Sequence, residues 1–203
     1  MTGRLWIPRR RDGGLALVLL QHRAASSAND AETVAVAGQL AQRGAVVAAI
    51  DLPLHGARGD AKLGARLLRA LTGERDAVPA ALAEEFARQV VVDLERALDA
   101  LTPLPEVDAE RIGFVGFGLG AELGAAFCSL EPRVRAVALA FEGGGRAAQG
   151  LGPQEVHRAA IEPRPLLELR EPEGPARPGG NPDPGTLAAI LRFLESQLGL
   201  RAS

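Results

Sequence analysis

Imidazole and thiol side chains are scarce in this sequence. Histidine occurs three times and cysteine once. The densest chemical signal lies in a stretch that contains neither: Arg111-Ile-Gly-Phe-Val-Gly116-Phe-Gly118-Leu-Gly120-Ala-Glu-Leu-Gly-Ala-Ala-Phe127. Ile112 to Val115 is apolar and partly β-branched, the pattern of a buried strand. Leu119, Leu123 and Phe127 recur every four residues, the pattern of a helix with one buried stripe. The glycines at 116, 118 and 120 form a sharp turn between them. Such a turn points backbone N–H groups at whatever lies above it.

Other candidates for chemistry stand just after apolar segments. His22 and Arg23 follow Val18–Gln21, His55 follows Asp51, and Glu142 follows Val134–Phe141. Arg23 near the helix that starts at Leu119 would make a cationic site for a carboxylate or phosphate; the plainer reading is a solvated loop residue. His55 is either a cleft residue or a turn histidine bonded to backbone. Glu142 is either an acid of the site or a solvated strand end. Cys128 lies one residue past Phe127 and reads as a partly buried structural thiol. No pair or trio of His, Cys, Asp and Glu has metal-ligand spacing, and no cofactor is expected.

The elements that must position these residues alternate between strand and helix. Leu5–Pro8 reads as a short edge strand, turned by Asp12-Gly13-Gly14 as a hairpin into a strand at Leu15–Leu20. Asn29 and Glu32 resemble a capping box for a helix to about Arg43, with Gly44 placed to end it. Ala45–Leu52 is a buried strand. Leu63–Leu71 and a longer segment from about Pro79 to Leu101 are helical, and Pro103 and Pro105 stop the second. Val134–Phe141 and Pro165–Leu169 are further strands, with a short helix at Pro153–Ile161 between them. Residues 171–185 are rich in proline and glycine and read as loop. Thr186 is placed to cap a last helix ending near Leu198. Short apolar strands alternating with helices predict an α/β, doubly wound, mostly parallel sheet with helices on both faces. The ligand crevice of such a sheet lies beyond the C-terminal ends of its strands.

Composition sets outer bounds. With 203 residues the chain is read as a single domain spanning 1–203. A formal charge of −2 gives no whole-chain attraction to nucleic acid or an acidic membrane surface. Aromatic residues are few and tyrosine is absent, which argues against stacking platforms for single strands. No apolar run approaches the roughly 20 residues of a membrane span, and no signal pattern opens the chain. A cytoplasmic protein without membrane or nucleic-acid partners is expected.

Several segments together resemble the α/β-hydrolase superfamily, in particular its dienelactone-hydrolase-like and esterase-like members. Val18-Leu-Leu-Gln-His22 is similar to the strand that leads to the oxyanion hole. Gly44-Ala-Val-Val-Ala-Ala-Ile-Asp-Leu-Pro-Leu-His-Gly56 resembles the strand and loop after the first crossover helix. Val107-Asp-Ala-Glu-Arg-Ile-Gly-Phe-Val-Gly-Phe-Gly-Leu-Gly120 resembles the approach to the nucleophile elbow, and Pro132-Arg-Val-Arg-Ala-Val the strand after it. The resemblance runs over roughly residues 15 to 170. It implies a Ser, Cys or Asp nucleophile at the centre of Gly-x-Ser-x-Gly, a base histidine late in the chain, and an acid to orient it. Here Gly118 stands at the centre, and no histidine follows His157. Residues 171–185 are too few for the usual extra helix, strand and histidine loop, so the C-terminal part reads as truncated. Glu171 or Glu173 would fill the acid's place without a histidine to orient.

Four functions remain open at this level. One is a pseudoenzyme that binds a small ligand or protein partner in a vestigial crevice lined by His22, Arg23, His55, Gly118, Leu119 and Glu142. Another is a working esterase- or lactonase-like hydrolase with displaced residues, such as His22 or His55 with Glu142. A third is nucleotide binding, because Gly116-x-Gly118-x-x-Ala121 fits the dinucleotide fingerprint and Glu142 lies at the ribose-binding distance. The fourth is an interaction subunit that forms homo-oligomers through a sheet edge left exposed by the missing strand.

Overall fold

The computed structural model describes residues 1–9, 14–71, 78–141, 161, 164–170 and 183–201. The elements run β1 (Gly3–Trp6), β2 (Leu15–Gln21), α1 (Ala31–Gln42), β3 (Ala45–Ile50), a 3₁₀ turn (Gly56–Arg58), α2 (Ala61–Leu71), α3 (Ala80–Leu101), β4 (Val107–Phe117), α4 (Leu119–Leu130), β5 (Val134–Phe141), β6 (Leu166–Arg170) and α5 (Pro184–Leu198). The predicted helix at 153–161 apart from Ile161, together with Glu142, His157 and most of the loop at 171–185, lies outside the described residues. No described helix is long and apolar enough to cross a membrane.

One six-stranded sheet has the order β1-β3-β2-β4-β5-β6. All neighbouring pairs are parallel except β1 with β3. The expected hairpin between β1 and β2 does not form. Both edges of β2 are taken by parallel partners, β3 and β4, so β1 docks antiparallel on the free edge of β3, with Gly3 opposite Ile50.

The alternation of side chains along each strand sorts the core into two layers. Leu17 and Leu19 of β2 face one side, with Phe114 of β4 and Leu139 of β5; α3 and α4 cover them through Phe86, Val90, Leu94, Leu98, Leu123 and Phe127. Ala16, Val18 and Leu20 face the other side, where α1 and α5 pack through Val36, Leu40, Ile190 and Leu194. That second face is rich in alanine, including Ala45, Ala49, Ala136, Ala138 and Ala140. Small side chains there let the helices lie close to the sheet.

Two helix starts differ from expectation. Asp30, not Asn29, occupies the N-cap of α1 and makes no side-chain cap bond; Glu32 is drawn away by Arg23. At α5 the cap is Asp183, whose side chain accepts from the Thr186 N–H at 2.9 Å. Thr186 is therefore inside the first turn, with Pro184 at the first helical position, where a missing N–H costs nothing.

Candidate functional site

The chain runs from β2 through α1 to β3 on one side, then crosses to β4 and continues to β5 and β6 on the other. The order therefore reverses between β2 and β4, and the crevice of a doubly wound sheet opens at that point. His22 and Arg23 follow β2 and Gly118 follows β4, so topology brings them together. Gly116 lies in register with Gln21 on one side and Leu139 on the other.

The turn itself is explained by its three glycines. Gly118 has φ 50° and ψ −118°, a conformation that costs a residue with a side chain on the order of 1–3 kcal/mol and that glycine adopts freely. Its N–H donates to the Ala140 carbonyl at 2.8 Å, and its carbonyl accepts from Ala121 and Glu122 at 3.0 and 3.1 Å. The flanking glycines serve close packing. A Cβ on Gly116 would stand 2.6 Å from the Gly120 carbonyl oxygen, and one on Gly120 would stand 2.6 Å from the carbonyl oxygens of Gln21 and His22. Leu119 and Gly120 are the first two residues of α4, so their N–H groups have no acceptor within the helix. Glu122, buried in the same first turn, complements the helix dipole and opposes a further anion there.

Arg23 lies over the elbow, its guanidinium carbon 5.7 Å from the centre of the Phe117 ring. Its charge is already matched: Nε and one terminal nitrogen donate to the two oxygens of Glu32, both at 2.7 Å. Two parallel bonds of this kind make a strong, directional pair. Glu32 had been legible only as a cap residue, because nothing local in sequence joins positions 23 and 32.

His22 is buried, and burial lowers its pKa to about 4. Its Nδ1 donates to the Arg23 carbonyl at 2.8 Å, and its Nε2 accepts the Leu52 N–H at 3.1 Å. The ring is thus a neutral clasp between the ends of β2 and β3, with both nitrogens engaged. His55 lies beside it, ring centres 5.7 Å apart, and also faces Phe86 at 6.2 Å. Nδ1 of His55 donates to the Pro53 carbonyl at 2.9 Å, which leaves Nε2 as the imidazole nitrogen of this cluster that no described residue engages.

Asp51, which in the sequence simply precedes the His55 loop, organises the rim. It is buried and accepts from the Ala28 N–H at 2.8 Å, the Ala57 N–H at 3.1 Å and the Thr2 hydroxyl at 3.1 Å. Gly56, at φ 53°, has no room for a side chain beside this carboxylate. Arg58 completes the rim by bonding the Asp51 carbonyl and pairing with Asp93 of α3. An acid closing an all-apolar strand, followed by a tight Gly-containing loop, was the signal available for this hub. Cys128 is fully buried with its thiol pKa pushed well up by burial, which makes it inert. Among the described residues no group of three or more His, Cys, Asp and Glu is placed to hold a metal.

A mostly parallel sheet reversing at β2/β4, with a positive-φ strand–turn–helix elbow at the reversal, defines an α/β-hydrolase fold. The chain belongs to the dienelactone hydrolase family, whose profile matches residues 15–163. Solved structures agree on the fold. A cold-adapted esterase from an Arctic intertidal metagenomic library aligns with TM-score 0.67 at 20% identity, over 97% of this chain and 88% of that one. Dienelactone hydrolase from Anabaena variabilis aligns with TM-score 0.59 at 21% identity, over 98% and 92%. Methylesterase BT1017 aligns with TM-score 0.69 at 19% identity over 98% of this chain, which spans 52% of that protein. The chain likewise spans only 36% of the hypothetical protein PA2218 from Pseudomonas aeruginosa. Comparison with curated proteins gave no match.

Proposed function

We propose that this protein is a dienelactone-hydrolase-family member without the family's covalent hydrolytic step, which uses the crevice above the elbow to bind a small ester-like ligand or a protein partner. The observation that carries the reading is Gly118, which takes the elbow's central position in the strained backbone conformation and brings no side chain to attack a carbonyl. His22, with a pKa lowered to about 4 and both nitrogens in protein hydrogen bonds, is a poor base as well. The ester-like ligand is inferred from the esterases that share the fold. A panel of activated aryl esters and lactones tests the proposal: purified protein gives no turnover above the buffer rate, while an ester or its acid product gives saturable binding. Turnover that follows the folded protein through purification overturns it.

A second reading is hydrolysis through displaced residues, favoured by one observation. His55 keeps Nε2 uncommitted among the described residues, so it would orient a water if any residue here does. In that case His55→Ala abolishes the turnover detected in the same panel.

A further inference from the structure

At the N-terminal ends of the parallel strands, opposite the crevice, a cleft of about 500 Å³ opens between the starts of β2 and β3 and the end of α5. Leu15, Arg43, Arg111, Leu198, Gly199 and Arg201 are among the residues that line it. Two of the arginines are largely committed. Nε of Arg43 pairs with Glu195 at 2.6 Å, and one terminal nitrogen donates to the carbonyl and the side-chain oxygen of Gln39 at 3.0 and 2.8 Å. Arg111 pairs with Asp108 at 2.8 Å and donates to the carbonyls of Leu198 and Gly14. The helices α1 and α5 both end here, and their C-terminal carbonyls by themselves oppose an anion. Gln39 and Leu198 are carbonyls of those helices, and the two arginines cover them.

Arg201 differs. Its backbone N–H donates to the Arg43 carbonyl at 3.0 Å, which ties the segment after α5 to the C-cap of α1. Its guanidinium has no hydrogen bond or ion pair among the described residues, whereas Arg43 and Arg111 each have a carboxylate. Against the three guanidinium groups lining the cleft stand the carboxylates of Glu195 and Asp108, so among the described residues one positive charge, that of Arg201, has no carboxylate partner.

We propose that this cleft is a binding site for a small organic oxyanion, a phosphate monoester or a carboxylate, with Arg201 as its principal ligand and the second terminal nitrogen of Arg43 as an auxiliary donor. The guanidinium fork suits either oxyanion, and Leu15 and Leu198 offer apolar surface for a small organic body. The volume lies in the range of small-molecule sites. The site is independent of the elbow, so its failure and the failure of the crevice reading are separable.

Titration of the intact protein with inorganic phosphate and with acetate at constant ionic strength, followed by amide NMR shifts, tests the proposal. Saturable shifts are expected at Gly14, Gly44 and Gly199. Tighter binding of phosphate than of acetate assigns a phosphate ligand, and the reverse order a carboxylate; either supports the site. Arg201→Ala, which keeps the backbone bond to Arg43, weakens binding about ten-fold or more, whereas the exposed control Arg135→Ala leaves it unchanged. Absence of saturation, equal affinity in Arg201→Ala, or shifts confined to Gly118–Gly120 overturns the proposal.

Discussion

At the scale of single residues, what a group touches decides what it can do. His22 looked like a site residue because it follows a strand at the crevice. Its two hydrogen bonds and its burial make it a neutral structural ring instead. The consequence is a pH dependence with a definite sign. The folded-state pKa, about 4, lies below the ordinary 6.5, so between these values the unfolded chain binds more protons than the folded one. Stability is then fully present above about pH 6.5 and falls as pH drops toward 4, by on the order of 3 kcal/mol. Urea denaturation across that range measures the loss, and His22→Gln removes this component. Gly118 makes the complementary point. At φ 50°, Gly118→Ala introduces backbone strain and lowers stability by on the order of 1–3 kcal/mol, read from the urea midpoint at an unchanged slope.

At the scale of elements, the strand–turn–helix β4–α4 and the helix ends matter most. Gly120 lets α4 seat against the end of β2, Gly116 lets it lie close to the end of β4, and that seat brings the elbow beside His22 and Arg23. The C-terminal end of α4 is closed by a group distant in sequence. Arg164 donates to the carbonyls of Cys128, Glu131 and Val134 at 2.5, 2.8 and 3.1 Å, and so ties the end of α4 to the start of β5. Asp183 caps α5 locally, and α5 contributes Ile190, Leu194 and Leu198 to the core. Asp183→Ala therefore lowers stability by about 1 kcal/mol. The thermal midpoint shifts downward by a few degrees, with the crevice amides unperturbed in NMR spectra.

At the scale of the whole molecule, Asp51 joins parts that no single element connects. It links the N-terminal Thr2, the loop after β2 through Ala28, and the loop after β3 through Ala57. Asp51→Ala leaves these donors to find water or remain unpaired, and costs about 3 kcal/mol. Hydrogen exchange at the Ala28 and Ala57 amides should accelerate well before global unfolding. Asp51→Asn keeps one acceptor but turns an NH2 toward N–H donors, so it recovers only part of the protection.

The alternation of short apolar strands with helical stripes was enough to determine the α/β class, because local periodicity reports which faces are buried. The strand from Val134 to Phe141 was legible to the residue, and the last helix was legible to its approximate end near Leu198. The segment order from Val18 to the elbow was enough to suggest the family, and the sequence alone put Gly118 at the centre of the elbow. Tertiary structure decided the rest. The antiparallel seat of β1 depended on β2 having both edges occupied. The neutralisation of Arg23 by Glu32, the double engagement of His22 and the Asp51 hub all join residues whose proximity only the packed sheet creates. Sequence records which chemical groups exist, while burial and hydrogen bonding, which depend on neighbours far along the chain, decide which of them are left to act.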